Sequence, residues 1–273
     1  MKRILVPTDF SECAGYAADV AVLLAKQSKA TIYFLHLAVD YTGPSHVPGK
    51  STLKVHPSIG HARFKMDQLL KMAGEHGVEA KAEFVLGSGQ EEIEDYIKPL
   101  AIDWLVMGSH GATGIREAII GSKTQHVIRN VQIPSLVIKR PLKKITLKNI
   151  LFASTFRYDV YDALKPSVEF AKLWNGSLHM LFINLLNHLI EENVARLMMV
   201  KQIEKFPGIN YTLNITETND KEFGIAKFAE QMGADVIAVP IESHTMVGRL
   251  FNPELAEKLI NHSPLPVLVA PLG

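Results

Sequence analysis

The first apolar run of the chain reads Ile4-Leu5-Val6-Pro7-Thr8-Asp9-Phe10, and it decides the fold because it returns later. The stretch Ile150-Leu151-Phe152-Ala153-Ser154-Thr155-Phe156 repeats its strand-then-turn pattern 146 positions on. Near the far end, Ile133-Pro134-Ser135-Leu136-Val137-Ile138 returns as Leu265-Pro266-Val267-Leu268-Val269-Ala270, 132 positions on. Matching ends at fixed spacings indicate an internal repeat whose second copy is 14 residues shorter.

Each copy alternates short runs of Val, Ile and Leu with longer stretches of helical periodicity. This alternation predicts a parallel sheet with helices on both faces, because buried parallel strands are apolar throughout. The predicted strands are 3–7, 31–37, 79–86, 104–108 and 135–139 in the first copy, and 149–153, 177–183, 211–216, 236–240 and 267–270 in the second. The expected fold class is α/β, with two tandem Rossmann-like domains and any site beyond the carboxyl ends of the strands.

The boundary between the copies falls in the basic, proline-containing segment 140–147. We expect one domain over residues 1–142 and a second over residues 147–273. The extra length of the first copy is assigned to Val39–Gly60, where proline, serine and glycine predict neither a strand nor a helix. Because this segment follows the second strand, it would hang over the site as a lid or as a plain loop.

Charge and composition exclude several classes of partner. The chain has 29 basic and 28 acidic residues, so it has no surplus of positive charge for the phosphates of a nucleic acid. No apolar run is long enough for a membrane helix or a signal peptide, so we expect a cytoplasmic protein without a membrane partner. The single cysteine, Cys13, excludes an internal disulfide and is interpreted as a small buried residue of the first helix.

A glycine-spaced loop follows the fourth strand of the first copy. It begins Gly108-Ser109-His110-Gly111, and Gly121 precedes a helix expected to begin near Ser122. Glycine allows positive φ and close approach of main-chain N–H groups, and the helix start offers free N–H groups, a hydroxyl cap and a positive dipole end, which suit a phosphate. Alternatively, the glycines serve the turn alone. The spacing of Gly121 and Lys123 does not fit a Walker A motif, and Pro7-Thr8-Asp9 replaces a dinucleotide-binding turn.

Taken together, Pro7-Thr8-Asp9-Phe10-Ser11 and Gly108-x2-Gly111-x9-Gly121-Ser122 resemble the ATP-binding branch of the universal stress protein family. The second copy resembles the same family in its strand pattern, so the chain is similar to a tandem universal stress protein. The resemblance implies a five-stranded parallel sheet per domain, of the adenine nucleotide alpha hydrolase-like type, and an adenine nucleotide in the first domain. The implied binding residues are Pro7, Thr8, Asp9, Leu37, Met107, Gly108, His110, Gly111, Gly121, Ser122, Lys123 and Thr124.

The resemblance also implies a role for each group. Asp9 would lie near the adenosine, and the main chain of Leu37 would meet the adenine edge. The stretch from Gly108 to Gly111, with His110, would line the ribose and first phosphates, and residues 121–124 would hold the outer phosphates.

The residues alone leave three of these roles open. Asp9 could instead cap the first helix or its turn. His110 is read as a hydrogen-bonding or packing group more readily than as a catalyst. Lys123 could face phosphate or solvent. We predict no catalytic residue and no metal ligand, since the spacing of the loop histidines His46, His56 and His61 matches no zinc pattern.

The second copy has lost the loop's chemistry. At the offset of 132, Gly108, Gly111, Gly121 and Ser122 become Pro240, Ser243, Pro253 and Glu254, and at the offset of 146 Asp9 becomes Thr155. Proline has no N–H to offer a phosphate, and Glu254 would satisfy the helix dipole from within the chain. We therefore expect no nucleotide in the second copy.

The expected function is that of a regulatory, stress-response protein that binds one nucleotide per chain. The expected ligand is ATP, with AMP or ADP as a bound product and Mg²⁺ as a candidate companion ion. The alternatives are a slow ATPase or phosphoryl-transfer enzyme at the same site, and a scaffold without a ligand. The two copies should form a pseudo-dimer through their last strands; a homodimer of chains and an unidentified protein partner are further expectations.

Overall fold

Alternating strands and helices build the first half of the molecule, as predicted. The computed structural model describes residues 1–39, 57–87, 92–110, 120–142, 146–241 and 253–272. The elements of the first half are β1 (Arg3–Pro7), α1 (Glu12–Ser28), β2 (Thr31–Val39), α2 (Pro57–Glu75), β3 (Ala80–Gly87), a 3-10 helix (Ile93–Tyr96), β4 (Trp104–Gly108), α3 (Ser122–Asn130) and β5 (Ser135–Ile138).

The second half repeats this order with a full helix before its fourth strand. Its elements are β6 (Asn149–Ser154), α4 (Tyr161–Leu173), β7 (Ser177–Leu185), a 3-10 helix (Leu186–His188), α5 (Glu192–Ile203), β8 (Asn210–Thr218), α6 (Lys221–Met232), β9 (Val236–Ile241), α7 (Pro253–His262) and β10 (Val267–Pro271). All ten predicted strands are present, each with its ends within two residues of the prediction.

The ten strands form one continuous sheet in the order β3-β2-β1-β4-β5-β10-β9-β6-β7-β8. Among the described strands, pairing is parallel within each half, and the antiparallel pair β5–β10 joins the halves. The predicted α/β class, with five parallel strands per half, and the predicted pairing of the last strands are confirmed. In each half the second and third strands lie on one side of the first strand, and the fourth and fifth lie on the other. This reversal of strand order opens a crevice at the carboxyl ends of the strands.

A pseudo-twofold axis relates the halves, and the repeat offset locates it. Leu136 pairs with Leu268 in the β5–β10 register, and these two residues are separated by the offset of 132. The same offset separates Gln125 on α3 from Glu257 on α7, whose side chains meet at 3.4 Å. Residues on a twofold axis face their own equivalents, so the axis passes through both contacts.

Each central strand is buried on both faces, which explains its unbroken apolar sequence. In β1, Ile4 and Val6 pack in the core on one side of the sheet, and Leu5 packs in the core on the other.

An aspartate binds the start of the first strand in each half. Asp103 accepts hydrogen bonds from the main-chain N–H groups of residues 2–3 at 2.7 and 2.8 Å, and Asp235 accepts equivalent bonds from residues 148–149 at 2.9 and 3.0 Å.

Two expectations are corrected. Segment Val39–Gly60 was predicted to be free of regular structure, but β2 includes Val39 and α2 begins at Pro57; residues 40–56, and with them the lid prediction, lie outside the described residues. A helix was expected between β3 and β4, where the described residues contain the short 3-10 helix Ile93–Tyr96. No helix among the described residues is both long and apolar enough to cross a lipid bilayer.

Candidate functional site

A cavity of about 340 Å³ lies at the carboxyl ends of β1, β2 and β4. It sits at the crevice where strand order reverses, the place where open α/β sheets bind ligands. Eleven of the twelve predicted residues line it; Gly111 lies outside the described residues. The lining residues are Pro7, Thr8, Asp9, Ala14, Leu35, Leu37, Ile93, Met107, Gly108, His110, Gly121, Ser122, Lys123 and Thr124.

The turn after β1 presents Asp9 to solvent. The Thr8 hydroxyl accepts the Phe10 N–H at 3.0 Å, and an Asp9 carboxylate oxygen accepts the Ser11 N–H at 3.0 Å. Ser11, not Asp9, caps α1, since its hydroxyl accepts the Ala14 N–H. Asp9 therefore shapes the turn while its side chain stays exposed at the rim of the cavity.

Gly108 brings the end of β4 against the start of α1. Gly108 does not have a positive φ, so it does not use the left-handed conformation that glycine permits. A Cβ atom at Gly108 would lie 2.8 Å from the Cys13 carbonyl carbon and 3.0 Å from the Ala14 nitrogen. The glycine is required by this close approach of two main chains.

The first three residues of α3, Ser122 to Thr124, line the cavity with their main-chain N–H groups at the open end of the helix. Gly121 is the N-cap and carries no capping side chain, so the expected hydroxyl cap from Ser122 is wrong. The Gly121 N–H donates to Ser109 O at 2.9 Å, but among the described residues no acceptor meets the N–H groups of Ser122, Lys123 and Thr124. These N–H groups and the positive end of the helix dipole form a site for an anion.

Thr124 ties this helix to the strand beside it. Its hydroxyl donates to Gly108 O at 3.0 Å, and its side chain is buried. The bond fixes the first turn of α3 against the end of β4, so the two glycine-containing ends of the loop are held in one place.

His110 is held by hydrogen bonds at the side of the cavity. The Ser109 hydroxyl lies 2.9 Å from its Nδ1, and Cys13 Sγ lies 3.4 Å from its Nε2. The prediction of a buried Cys13 on the first helix is confirmed, and its thiol donates to Lys139 O at 3.4 Å. Burial raises the pKa of this thiol, which keeps it protonated at neutral pH. The surroundings suit a hydrogen-bonding role for His110.

Comparison with known proteins identifies the family of this chain. The profile of the universal stress protein family matches residues 1–139 and 188–271. The chain belongs to the universal stress protein family. Universal stress protein MJ0531 of Methanocaldococcus jannaschii is 30% identical over 145 residues, covering 52% of this chain and 85% of the relative. Universal stress protein MJ0577 of the same organism is 33% identical over 155 residues, covering 51% of this chain and 95% of the relative.

A solved structure matches the whole two-half arrangement. A universal stress protein from Archaeoglobus fulgidus aligns with a TM-score of 0.72 at 20% identity, covering 99% of this chain and 98% of that one. At this identity the likeness establishes the fold alone. The matches to the two Methanocaldococcus jannaschii relatives each cover about half of this chain, in keeping with two copies of a universal stress protein fold.

Three lining residues of this universal stress protein were missed from the sequence. Leu35 could have been found, because it lies two positions before Leu37 and strand side chains alternate between faces. Ala14 enters through the contact of α1 with Gly108. Ile93 comes from the 3-10 helix that was expected to be a regular helix, so no sequence signal pointed to it.

A second polar group lies beside the cavity, next to Ile93. His126 Nε2 is 3.3 Å from a Glu94 oxygen and 3.9 Å from a Glu92 oxygen. This group was not predicted, because its members come from different elements. Of the histidines considered as metal ligands, His61 lies on α2, and His46 and His56 lie outside the described residues.

The second half of this universal stress protein has a different arrangement at the equivalent positions. Pro240 lies in β9, and Pro253 and Glu254 begin α7, where Glu254 pairs with Lys258 at 3.2 Å. Prolines thus stand at two positions where the first half has glycine N–H groups, and a carboxylate occupies the helix start. Ser243 lies outside the described residues.

Proposed function

We propose that this universal stress protein binds one ATP in the cavity of its first half and acts as a nucleotide-dependent regulatory protein of the stress response. The observation that carries the proposal is the start of α3, beside a cavity of about 340 Å³. The main-chain N–H groups of residues 122–124 have no acceptor among the described residues, so they are available to a ligand in this cavity. This volume lies within the range of about 300–1,000 Å³ typical of small-molecule pockets. A triphosphate supplies the negative charge that the helix start would stabilise.

The lining residues divide between the two ends of such a ligand. The N–H groups of residues 122–124 would hold the outer phosphates, and the Lys123 ammonium could add its charge. Leu35 and Leu37, from the same face of β2, offer an apolar wall to the adenine. Asp9, whose side chain is exposed at the rim, would accept hydrogen bonds from the adenosine. Mg²⁺ is proposed only as a companion of the phosphates.

The proposal favours regulation over turnover. Catalysed phosphoryl transfer needs a group that orients the nucleophile and carboxylates that hold metal. Among the described lining residues, Asp9 is the one carboxylate, and it already accepts the Ser11 N–H. Occupancy of the site, rather than hydrolysis, is then the signal. The proposed stoichiometry is one nucleotide per chain, since the carboxylate of Glu254 occupies the helix start in the second half, where it would repel a phosphate.

The test uses the second half's own substitution at an exposed position. In Ser122→Glu a carboxylate would sit beside the phosphates, where like charges about 4 Å apart repel by roughly 1–4 kcal/mol. We expect ATP affinity, measured by calorimetry, to fall at least about fivefold. Ser122→Ala keeps the main-chain N–H and should bind nearly as wild type does.

Native mass spectrometry of the purified chain should show one bound adenine nucleotide. Saturating ATP, at about one hundred times Kd, should stabilise the wild type by about 2.7 kcal/mol. The proposal is wrong if millimolar ATP leaves the melting temperature unchanged and the purified protein carries no nucleotide. Repeating the titration with EDTA tests the companion ion.

A further inference from the structure

One residue of the second half reaches the loop that enters the candidate site. Asn261, on α7, accepts the main-chain N–H of Ile120 through its side-chain oxygen at 2.6 Å. Ile120 is 3% exposed and directly precedes Gly121, the N-cap of α3. Because a buried N–H without an acceptor costs free energy, this bond fixes the main chain one residue before the anion site.

Asn261 is itself anchored. Its main-chain oxygen accepts a hydrogen bond from the Lys139 ammonium, at the end of the first half's last strand. One turn earlier on α7, Glu257 accepts a bond from Arg129 of α3 at 2.7 Å and lies 3.4 Å from the Gln125 amide. α7 therefore contacts α3 at Gln125 and Arg129, and it also binds Ile120, which precedes the N-cap of α3.

The repeat makes this contact one-sided. At the offset of 132, Asn261 is equivalent to Arg129. An asparagine amide can accept a main-chain N–H, whereas a guanidinium has donors only. The second half can therefore accept a main-chain N–H of the first half through Asn261. The first half cannot accept an equivalent N–H of the second half through Arg129.

We propose that Asn261 is a positioning residue of the nucleotide site, through which the second half aligns the N–H groups at the start of α3. The inference rests on the proposed function for its effect on ATP, but the contact itself can be tested without ligand. It assigns the second half a role in binding although that half holds no nucleotide.

The test compares two substitutions in the full-length chain. Asn261→Ala removes the acceptor, and we expect ATP affinity to fall about three- to tenfold, the range for one lost hydrogen bond. Asn261→Asp keeps an acceptor oxygen, so the Ile120 amide of the ligand-free protein should exchange within about twofold of the wild-type rate. Lys258→Ala, on an exposed part of the same helix, is the matched control for nonspecific damage to α7. Melting temperatures are recorded for all three.

Hydrogen exchange in the ligand-free protein separates the inference from the proposed function. The Ile120 amide should exchange at least about tenfold faster in Asn261→Ala, while the central-strand amide of Leu105 should be unchanged. Equal ATP affinity in wild type and Asn261→Ala would overturn the positioning role, and so would equally fast Ile120 exchange in the Ala and Asp variants. If wild type binds no ATP, the proposed function fails; unchanged Ile120 exchange would show that the contact fails too.

Discussion

Replacing Gly108 with alanine would separate a packing role from a ligand role in the glycine-spaced loop. The added Cβ would lie 2.8 Å from the Cys13 carbonyl carbon and 3.0 Å from both the Ala14 nitrogen and Cys13 Cβ. Two of these three atoms belong to the main chain at the start of α1, so no flexible side chain can rotate away. The strand and the helix must move apart.

The magnitude follows from this crowding. Inserting one carbon into a close-packed contact costs about 1–3 kcal/mol. Backbone φ adds nothing, because Gly108 is not in the left-handed region. We therefore expect Gly108→Ala to lower the free energy of unfolding by about 2 kcal/mol. The same displacement moves Ala14 in the cavity wall, so ATP affinity should also fall.

Urea denaturation followed by circular dichroism measures the change in stability. Gly15→Ala is the matched control, because it places the same methyl group on α1, where no atom lies within 4 Å. Alanine inside a helix is favoured over glycine by about 1 kcal/mol, so this control should stabilise the protein. The reasoning is refuted if Gly108→Ala is as stable as wild type.

Two further predictions concern polar groups outside the site. Asp235→Ala should destabilise by about 1–3 kcal/mol in urea melts because it leaves two main-chain N–H groups without an acceptor. Asp103→Ala should cost less, because Asp103 is partly exposed while Asp235 is buried, and equal losses would contradict this. Burial lowers the pKa of His179, so the unfolded chain binds more protons and stability should fall as the pH drops through about 6.5. His179→Asn should lose less stability than wild type between pH 7.5 and 5.5, as measured by thermal melts, and parallel losses would reject the assignment.

The local sequence pattern predicted the positions of the strands, and the internal repeat predicted that the last strands of the two halves pair across a pseudo-twofold axis. β1 and β4 were predicted with their observed bounds, because apolar runs flanked by polar turns leave little freedom. The predicted pairing of the last strands is confirmed, and its register places Leu136 opposite Leu268, two residues separated by the offset of 132. The candidate site followed from topology, since strands that end at the same edge bring their loops together.

Contacts between distant segments were beyond the sequence. Gly108 was assigned to loop conformation, but its close neighbour is α1, nearly one hundred residues earlier. Ser122 was expected to cap α3, but Gly121 takes that position, because the bond from its N–H to Ser109 O sets where the helix begins. The bond from Ile120 to Asn261 joins residues 141 apart and has no local signature.

Fusion of the halves permits an arrangement that a symmetric dimer of one half could not have. On a twofold axis each residue meets its own copy, so two glutamates there would repel and two glutamines could only pair as neutral groups. Here Gln125 meets Glu257, and Glu257 also binds Arg129 at 2.7 Å. Once equivalent positions can differ, α3 can keep an open N-terminus for an anion while α7 begins with Pro253 and Glu254 and supplies support. If the start of α3 binds the proposed nucleotide, the differences at Glu254 and at Asn261 express one asymmetry, in which one helix binds the anion and its equivalent holds that helix in place.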